Sequence, residues 1–89
     1  MPYCVTFNEG AEADLKQLPK DVAERIKNKI LFLETVPNPR KYLEKVAGKF
    51  GGRVYRYRIG NFRAYLTFKD EELIIVVIEV GYRKNIYKK

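Results

Sequence analysis

The chain has no histidine and only one cysteine, Cys4, among its 89 residues. A lone cysteine cannot form an internal disulfide, and without histidine or a cysteine pair the usual zinc and transition-metal ligand sets are missing. Serine–histidine and cysteine–histidine nucleophilic centres are excluded on the same ground. There is no P-loop and no Gly-x-Gly-x-x-Gly stretch to cradle a nucleotide phosphate. No apolar run approaches the roughly 18 residues that cross a bilayer. The N-terminus opens on the strand-like YCVTF rather than on a basic and then apolar leader. These absences predict a soluble cytoplasmic protein in a reducing compartment, with no metal, no cofactor and no membrane partner. Cys4, with no histidine to activate it, reads as buried filler in a short apolar strand.

What the chain does have is positive charge. Its formal net charge is +7, and residues 51–89 hold nine Lys/Arg against four Asp/Glu, whereas residues 1–50 hold nine against seven. A basic excess of this size favours phosphate-rich polymers or acidic partners. A hydrophobic content of 46% argues for a folded chain, and the length suits one domain spanning residues 1–89.

PYCVTF (2–7) has strand composition, and Asn8 is placed to cap a short helix running to about Gln17, with Glu9 in its first turn. Pro19 breaks it. A second helix, from Lys20 to about Thr35, sets Val22, Ile26, Ile30 and Leu33 along one dry face. The acidic residues Glu12, Asp14, Asp21 and Glu24 read as a solvated helix surface. Residues 36–52 show no clear periodicity and read as a connection. ELIIVVIEV (72–80) reads as a strand buried on both faces at the middle of a sheet, and Glu79 within it calls for a partner such as a nearby arginine. The expected fold is α+β: βααβββ, a mostly antiparallel four-stranded sheet with two N-terminal helices on one face.

RVYRYRIGNFRAY (53–65) carries the chemistry. Gly60-Asn61 fits a two-residue type II′ turn, and counting outward sets Ile59 against Phe62, Arg58 against Arg63, Tyr57 against Ala64, Arg56 against Tyr65 and Tyr55 against Leu66. Period two then puts Tyr55, Tyr57, Ile59, Phe62, Ala64 and Leu66 on a core face, and Arg56, Arg58, Arg63 and Tyr65 on a cationic one. Opposed like charges cost up to roughly 1 kcal/mol per pair, and no acidic residue lies between Arg53 and Lys69. The arrangement makes sense if a polyanion relieves it. Guanidinium groups bind phosphate bidentately and tyrosine rings stack on unpaired bases, which together form a set of tools for handling RNA. RNA carries its own nucleophile, the 2′-hydroxyl. Cleavage therefore needs alignment, neutralisation of the phosphorane charge and protonation of the leaving oxygen.

GRVYRYRIGNFRAYLTF, the β-branched strand after it and EVGYRKNIY, together with LPKDVAERI and the NPR…AGKFGG loop, resemble the RelE toxins of the RelE/ParE toxin–antitoxin superfamily across nearly the whole chain. The resemblance implies a microbial-ribonuclease-like fold. It also implies a ribosome-dependent endoribonuclease that cuts mRNA in the decoding site and is held inactive by a cognate antitoxin. Partners would be that antitoxin, mRNA and the 16S rRNA of the ribosome. Arg56, Arg58, Arg63, Arg83 and Tyr87 match the family's catalytic positions, which orient the 2′-hydroxyl, stabilise the transition state, protonate the leaving group and stack on a base. Arg53, Tyr65, Tyr82 and Lys84 would bind RNA. The chain departs from the family at its strand pair, which is lysine in those toxins with one lysine a candidate base. Arginine, with a pKa above about 12, suits that role poorly. The tail between Arg83 and Tyr87 is also shorter, leaving Tyr82 as a substitute for Tyr87. On the ParE branch the same scaffold poisons DNA gyrase, and a degenerate member would only bind rRNA or its antitoxin. The arginine set with a tail tyrosine favours the nuclease over the gyrase poison, whereas the exchange of lysine for arginine in the strand pair keeps the degenerate reading open.

Overall fold

The computed structural model describes residues 2–46 and 53–82. The elements are β1 (Cys4–Phe7), α1 (Glu9–Lys16), α2 (Lys20–Leu31), β2 (Glu44–Val46), β3 (Val54–Ile59), β4 (Phe62–Lys69) and β5 (Ile74–Tyr82), with 3-10 turns at Phe32–Thr35, Pro39–Tyr42 and Asp70–Glu72. They form an α+β domain whose five-stranded sheet has the order β1-β5-β4-β3-β2. All neighbours pair antiparallel except β1 and β5, which run parallel.

Local chemistry explains the helices. The Ala11 N–H donates to Asn8 Oδ1 at 2.9 Å, which caps α1 as the sequence predicts. Pro19, unable to donate a backbone hydrogen bond, divides the helices. Ile26, Ile30 and Leu33 are buried, so the dry face of α2 continues into the 3-10 turn that ends it. With Ala11 and Leu15 they cover the sheet face formed by Ile59, Ala64, Leu66, Ile75, Val77 and Val80.

Four expectations need correction. The sheet has five strands, not four, because residues 44–46 inside the expected connection pair with β3. Three residues are too few to show a period, and their pairing is decided by the strand beside them. β5 is interior to the sheet, but only its helix-side residues Ile75, Val77 and Val80 are buried. Val76 and Ile78 are half-buried, since no described helix covers the other face. Cys4 is exposed rather than buried, as its side chain points away from the core on an edge strand. Asp14 is not merely solvated surface, because its Oδ2 accepts the Val80 N–H at 2.9 Å.

That contact marks where α1 meets an irregularity in β5. The β4–β5 register shifts between Tyr65 and Leu66, which face Glu79 and Val77, so that Ile78 is the extra residue of a bulge. Gly10 on α1 approaches the same place, since a Cβ there would lie 3.1 Å from the Ile78 carbonyl oxygen. On the outer edge, the Val5 N–H of β1 donates to Glu34 Oε2 at 2.7 Å, blunting a strand edge that could otherwise pair with another chain.

Candidate nucleic-acid interface

The β3–β4 hairpin has the register that residue counting predicts, with all five pairs in place from Tyr55↔Leu66 to Ile59↔Phe62. Gly60 has φ 60°, and Asn61 is not among the positive-φ residues, which selects a type II′ over a type I′ turn. The turn fixes the parity, and the parity sends Arg56, Arg58 and Arg63 to the face opposite the helices.

That face is less simple than a solvated cationic surface. Glu44 on β2 lies opposite Arg56. Its Oε1 accepts from Arg56 Nε at 3.0 Å and sits 2.9 Å from Arg56 Nη2 and 3.4 Å from Arg58 Nε. The carboxylate absent from the hairpin is thus supplied by the neighbouring strand. Hydrogen bonding from Arg56, reinforced by the charge of Arg58, holds the Glu44 carboxyl below its ordinary range.

Arg63 differs from the other two arginines. It is only 5% exposed and pairs across the sheet with Arg58 on one side and with Gly81, which has no side chain, on the other. Its Nη1 donates to the Phe62 carbonyl at 3.2 Å, while its Nε is buried with no hydrogen-bond partner among the described residues. A buried donor without an acceptor is costly, and a guanidinium in a low-dielectric setting attracts an incoming anion more strongly than one in water. The floor beside it is Val54 and Tyr65, with Val46 and Ile78 packed against them.

The remaining predicted residues divide. Tyr65 is on the arginine face but 2% exposed, so it is part of the floor and presents no ring for stacking. This corrects its expected RNA-binding role. Tyr82 is exposed but opposite Phe62, with which it makes an edge-on contact at 5.3 Å, and so it belongs to the helix side of the sheet. Arg53 is also away from the arginine face, lining a 230 Å³ hollow with Arg40, Lys45, Tyr55, Thr67, Phe68 and Asp70. Arg83, Lys84 and Tyr87 lie outside the described residues. Glu79, opposite Tyr65, is engaged rather than free.

The hollow that holds Arg53 is anchored by Arg40. Its Nη2 reaches both oxygens of Asp70 at 3.0 and 2.9 Å, its Nε donates to the Tyr55 hydroxyl at 3.2 Å, and its guanidinium lies 3.9 Å from the Phe68 ring centre. Burial works against this charge, but the hydrogen bonds to Tyr55, Asp70 and Tyr3 outweigh it, and the guanidinium pKa is held above its ordinary value. The group ties the 36–46 segment to the turn before β5.

Sequence reasoning missed Glu44 altogether. The one available signal was an isolated acidic residue next to Leu43, two positions before Val46, in a segment otherwise read as loop.

Two helices on one face of a five-stranded sheet and a row of guanidinium groups on the other define a small basic α+β domain suited to holding a polyanion. The chain belongs to the RelE/ParE toxin family of type II toxin–antitoxin systems: residues 5–87 match the family described as the ParE toxin of type II toxin-antitoxin system, parDE. It is 31% identical to the RelE1 toxin of Methanocaldococcus jannaschii over 99% of this chain and 98% of that one. It is 29% identical to the mRNA interferase toxin RelE of Escherichia coli K12 over 96% of this chain and 87% of that one. The fold matches the archaeal RelE–RelB complex of Pyrococcus horikoshii with a TM-score of 0.71, at 28% identity, covering 93% of this chain and 97% of that one.

Proposed function

We propose that this toxin is a metal-independent, ribosome-dependent endoribonuclease that cuts mRNA in the decoding site by attack of the RNA 2′-hydroxyl, thereby stopping translation in the cytoplasm. The observation that carries this reading is Arg63, a buried guanidinium with an unpartnered Nε on the open face beside Arg58 and Arg56. Arg56 and Arg58 bind backbone phosphates on either side of the cut, and Arg63 stabilises the charge that develops on the phosphorane. Arg83 and Tyr87 complete the set by resemblance, with Lys84 as a further backbone contact. The 2′-hydroxyl of the RNA is the nucleophile in this reading, so the step needs no metal-activated water.

The mRNA interferase name of the Escherichia coli relative supports the reaction class, and the Pyrococcus complex supports a cognate antitoxin as the protein partner. The ParE description of the matching family keeps gyrase as a second reading. Primer extension on an mRNA undergoing translation, run beside a gyrase supercoiling assay, tests the two. Codon-spaced cuts that disappear with Arg63→Ala are the expected result. Inhibited supercoiling without any cuts would replace the nuclease with the gyrase poison.

A further inference from the structure

Glu44 occupies an edge strand at the border of the arginine face, and among the described strands β2 pairs with β3 alone. Its described contacts, from Arg56 Nε, Arg56 Nη2 and Arg58 Nε, all go to Oε1. The side chain is 47% exposed, so its second oxygen, Oε2, is open to a ligand on this face. The charged groups facing Glu44 from the strand packed against it are Arg56 and Arg58.

This geometry meets a need that the composition leaves open. Attack by a 2′-hydroxyl requires a group to take its proton. The chain has no histidine, and arginines with pKa above about 12 do not accept protons at neutral pH. A carboxylate held between those arginines does. We propose that Glu44 is the general base of the cleavage reaction, with Oε2 taking the 2′-hydroxyl proton while Arg56 and Arg58 anchor Oε1 and receive the adjacent phosphate.

The proposal rests on the ribonuclease reading above. In the step, the proton passes from the 2′-hydroxyl to Oε2, the 2′-oxygen–phosphorus bond forms and the bond from phosphorus to the 5′-oxygen breaks. The leaving 5′-oxygen takes a proton from water. The products are a 2′,3′-cyclic phosphate and a 5′-hydroxyl, with nothing oxidised or reduced, and Glu44 returns its proton to solvent. Because Arg56 and Arg58 hold its pKa low in the free protein, Glu44 is ionised at neutral pH. An arriving phosphate shares those guanidinium groups and so makes the carboxylate a stronger base.

The alternative role for Glu44 is a counter-ion that RNA must displace, and it gives the opposite result on mutation. The test is single-turnover cleavage of a defined mRNA on programmed ribosomes between about pH 6 and pH 9, with wild type, Glu44→Gln and Glu44→Asp. General-base catalysis contributes about 10²- to 10⁴-fold, so Glu44→Gln should be slower by that factor near neutral pH. Its residual rate should climb about tenfold per pH unit as hydroxide replaces the lost base. Wild type should lack that slope, and Glu44→Asp should recover part of the rate without it. Glu44→Gln cleaving as fast as wild type, or faster, overturns the proposal, as does a slower variant whose pH profile runs parallel to wild type. An mRNA with a 2′-deoxy nucleotide at the cut site separates the levels: if it is still cleaved, or if wild type cleaves nothing, the ribonuclease reading fails and takes the base with it.

Discussion

Arg58 and Arg63 stand directly opposite each other on the open face of the β3–β4 ribbon, and of the two only Arg58 has a carboxylate within ion-pair distance among the described residues. The same parity that puts both side chains on this face gives them different surroundings. Arg58 is 60% exposed in its side chain and partly neutralised by Glu44, whereas Arg63 is 5% exposed with a buried, unpartnered Nε. Burying a donor without an acceptor costs stability at Arg63, and in the proposed function the same group receives the anion.

Replacing Arg63 with methionine should separate these two effects. Methionine keeps most of the apolar stem and removes the buried charge, a change that is often neutral or stabilising. Thermal unfolding should show a midpoint equal to or above that of wild type. Cleavage of mRNA on programmed ribosomes should fall by about 10²- to 10³-fold, the loss expected on removing one transition-state charge stabiliser.

Asp70 gives the fold an acid-sensitive contact. The Tyr3 hydroxyl donates to its Oδ1 at 2.7 Å and Arg40 bridges both oxygens, so its pKa is lowered from the ordinary 3.8, with Tyr3 the larger cause. A carboxyl with a depressed folded-state pKa contributes stability that is fully present above the unfolded value and lost as pH falls through the folded one. Asp70→Asn should therefore melt below wild type near pH 6, with the gap closing as pH drops below 3.8. A gap that stays constant over that range would mean that the charge of Asp70 does not matter.

Gly60→Ala should weaken the hairpin through backbone conformation alone. No atom lies within 4 Å of the position an added Cβ would take, but φ there is +60°, and holding an L-residue in so sparsely populated a backbone region costs about 1–3 kcal/mol. Urea unfolding should show a loss of that size with an unchanged m-value.

Asp14→Ala should cost roughly 1–3 kcal/mol by leaving the part-buried Val80 N–H without its acceptor. Hydrogen exchange at the Val80 amide should accelerate more than at amides of β1, because the lost contact is local to the β5 side of α1.

The parts of this protein that could be read from the sequence are those fixed within a few residues. Asn8 as cap, Pro19 as break, and the Arg58–Arg63 pairing all follow from turn, cap and parity rules that act between near neighbours. Glu44 escaped because a three-residue edge strand has no period of its own, and its importance comes from Arg56, twelve residues further on. Tyr65 was assigned correctly to the arginine face but wrongly to the surface. Parity gives direction only, whereas burial depends on Val54, Val46 and Ile78 closing over that ring. Arg53 and Tyr82 were named as RNA contacts without a face, since flanking residues inherit none until the sheet edge and the partner strand are known.

The sequence by itself determined two helices, a hairpin of known register and a surplus of arginine at fixed parity, because these depend on backbone preference and on alternation along one strand. Tertiary structure alone decided which of those arginines is buried, which is paired with a carboxylate, and that β2 joins the sheet to supply it. Burial and ion pairing are set by atoms from distant segments meeting in space. No local pattern encodes the dielectric around a guanidinium group.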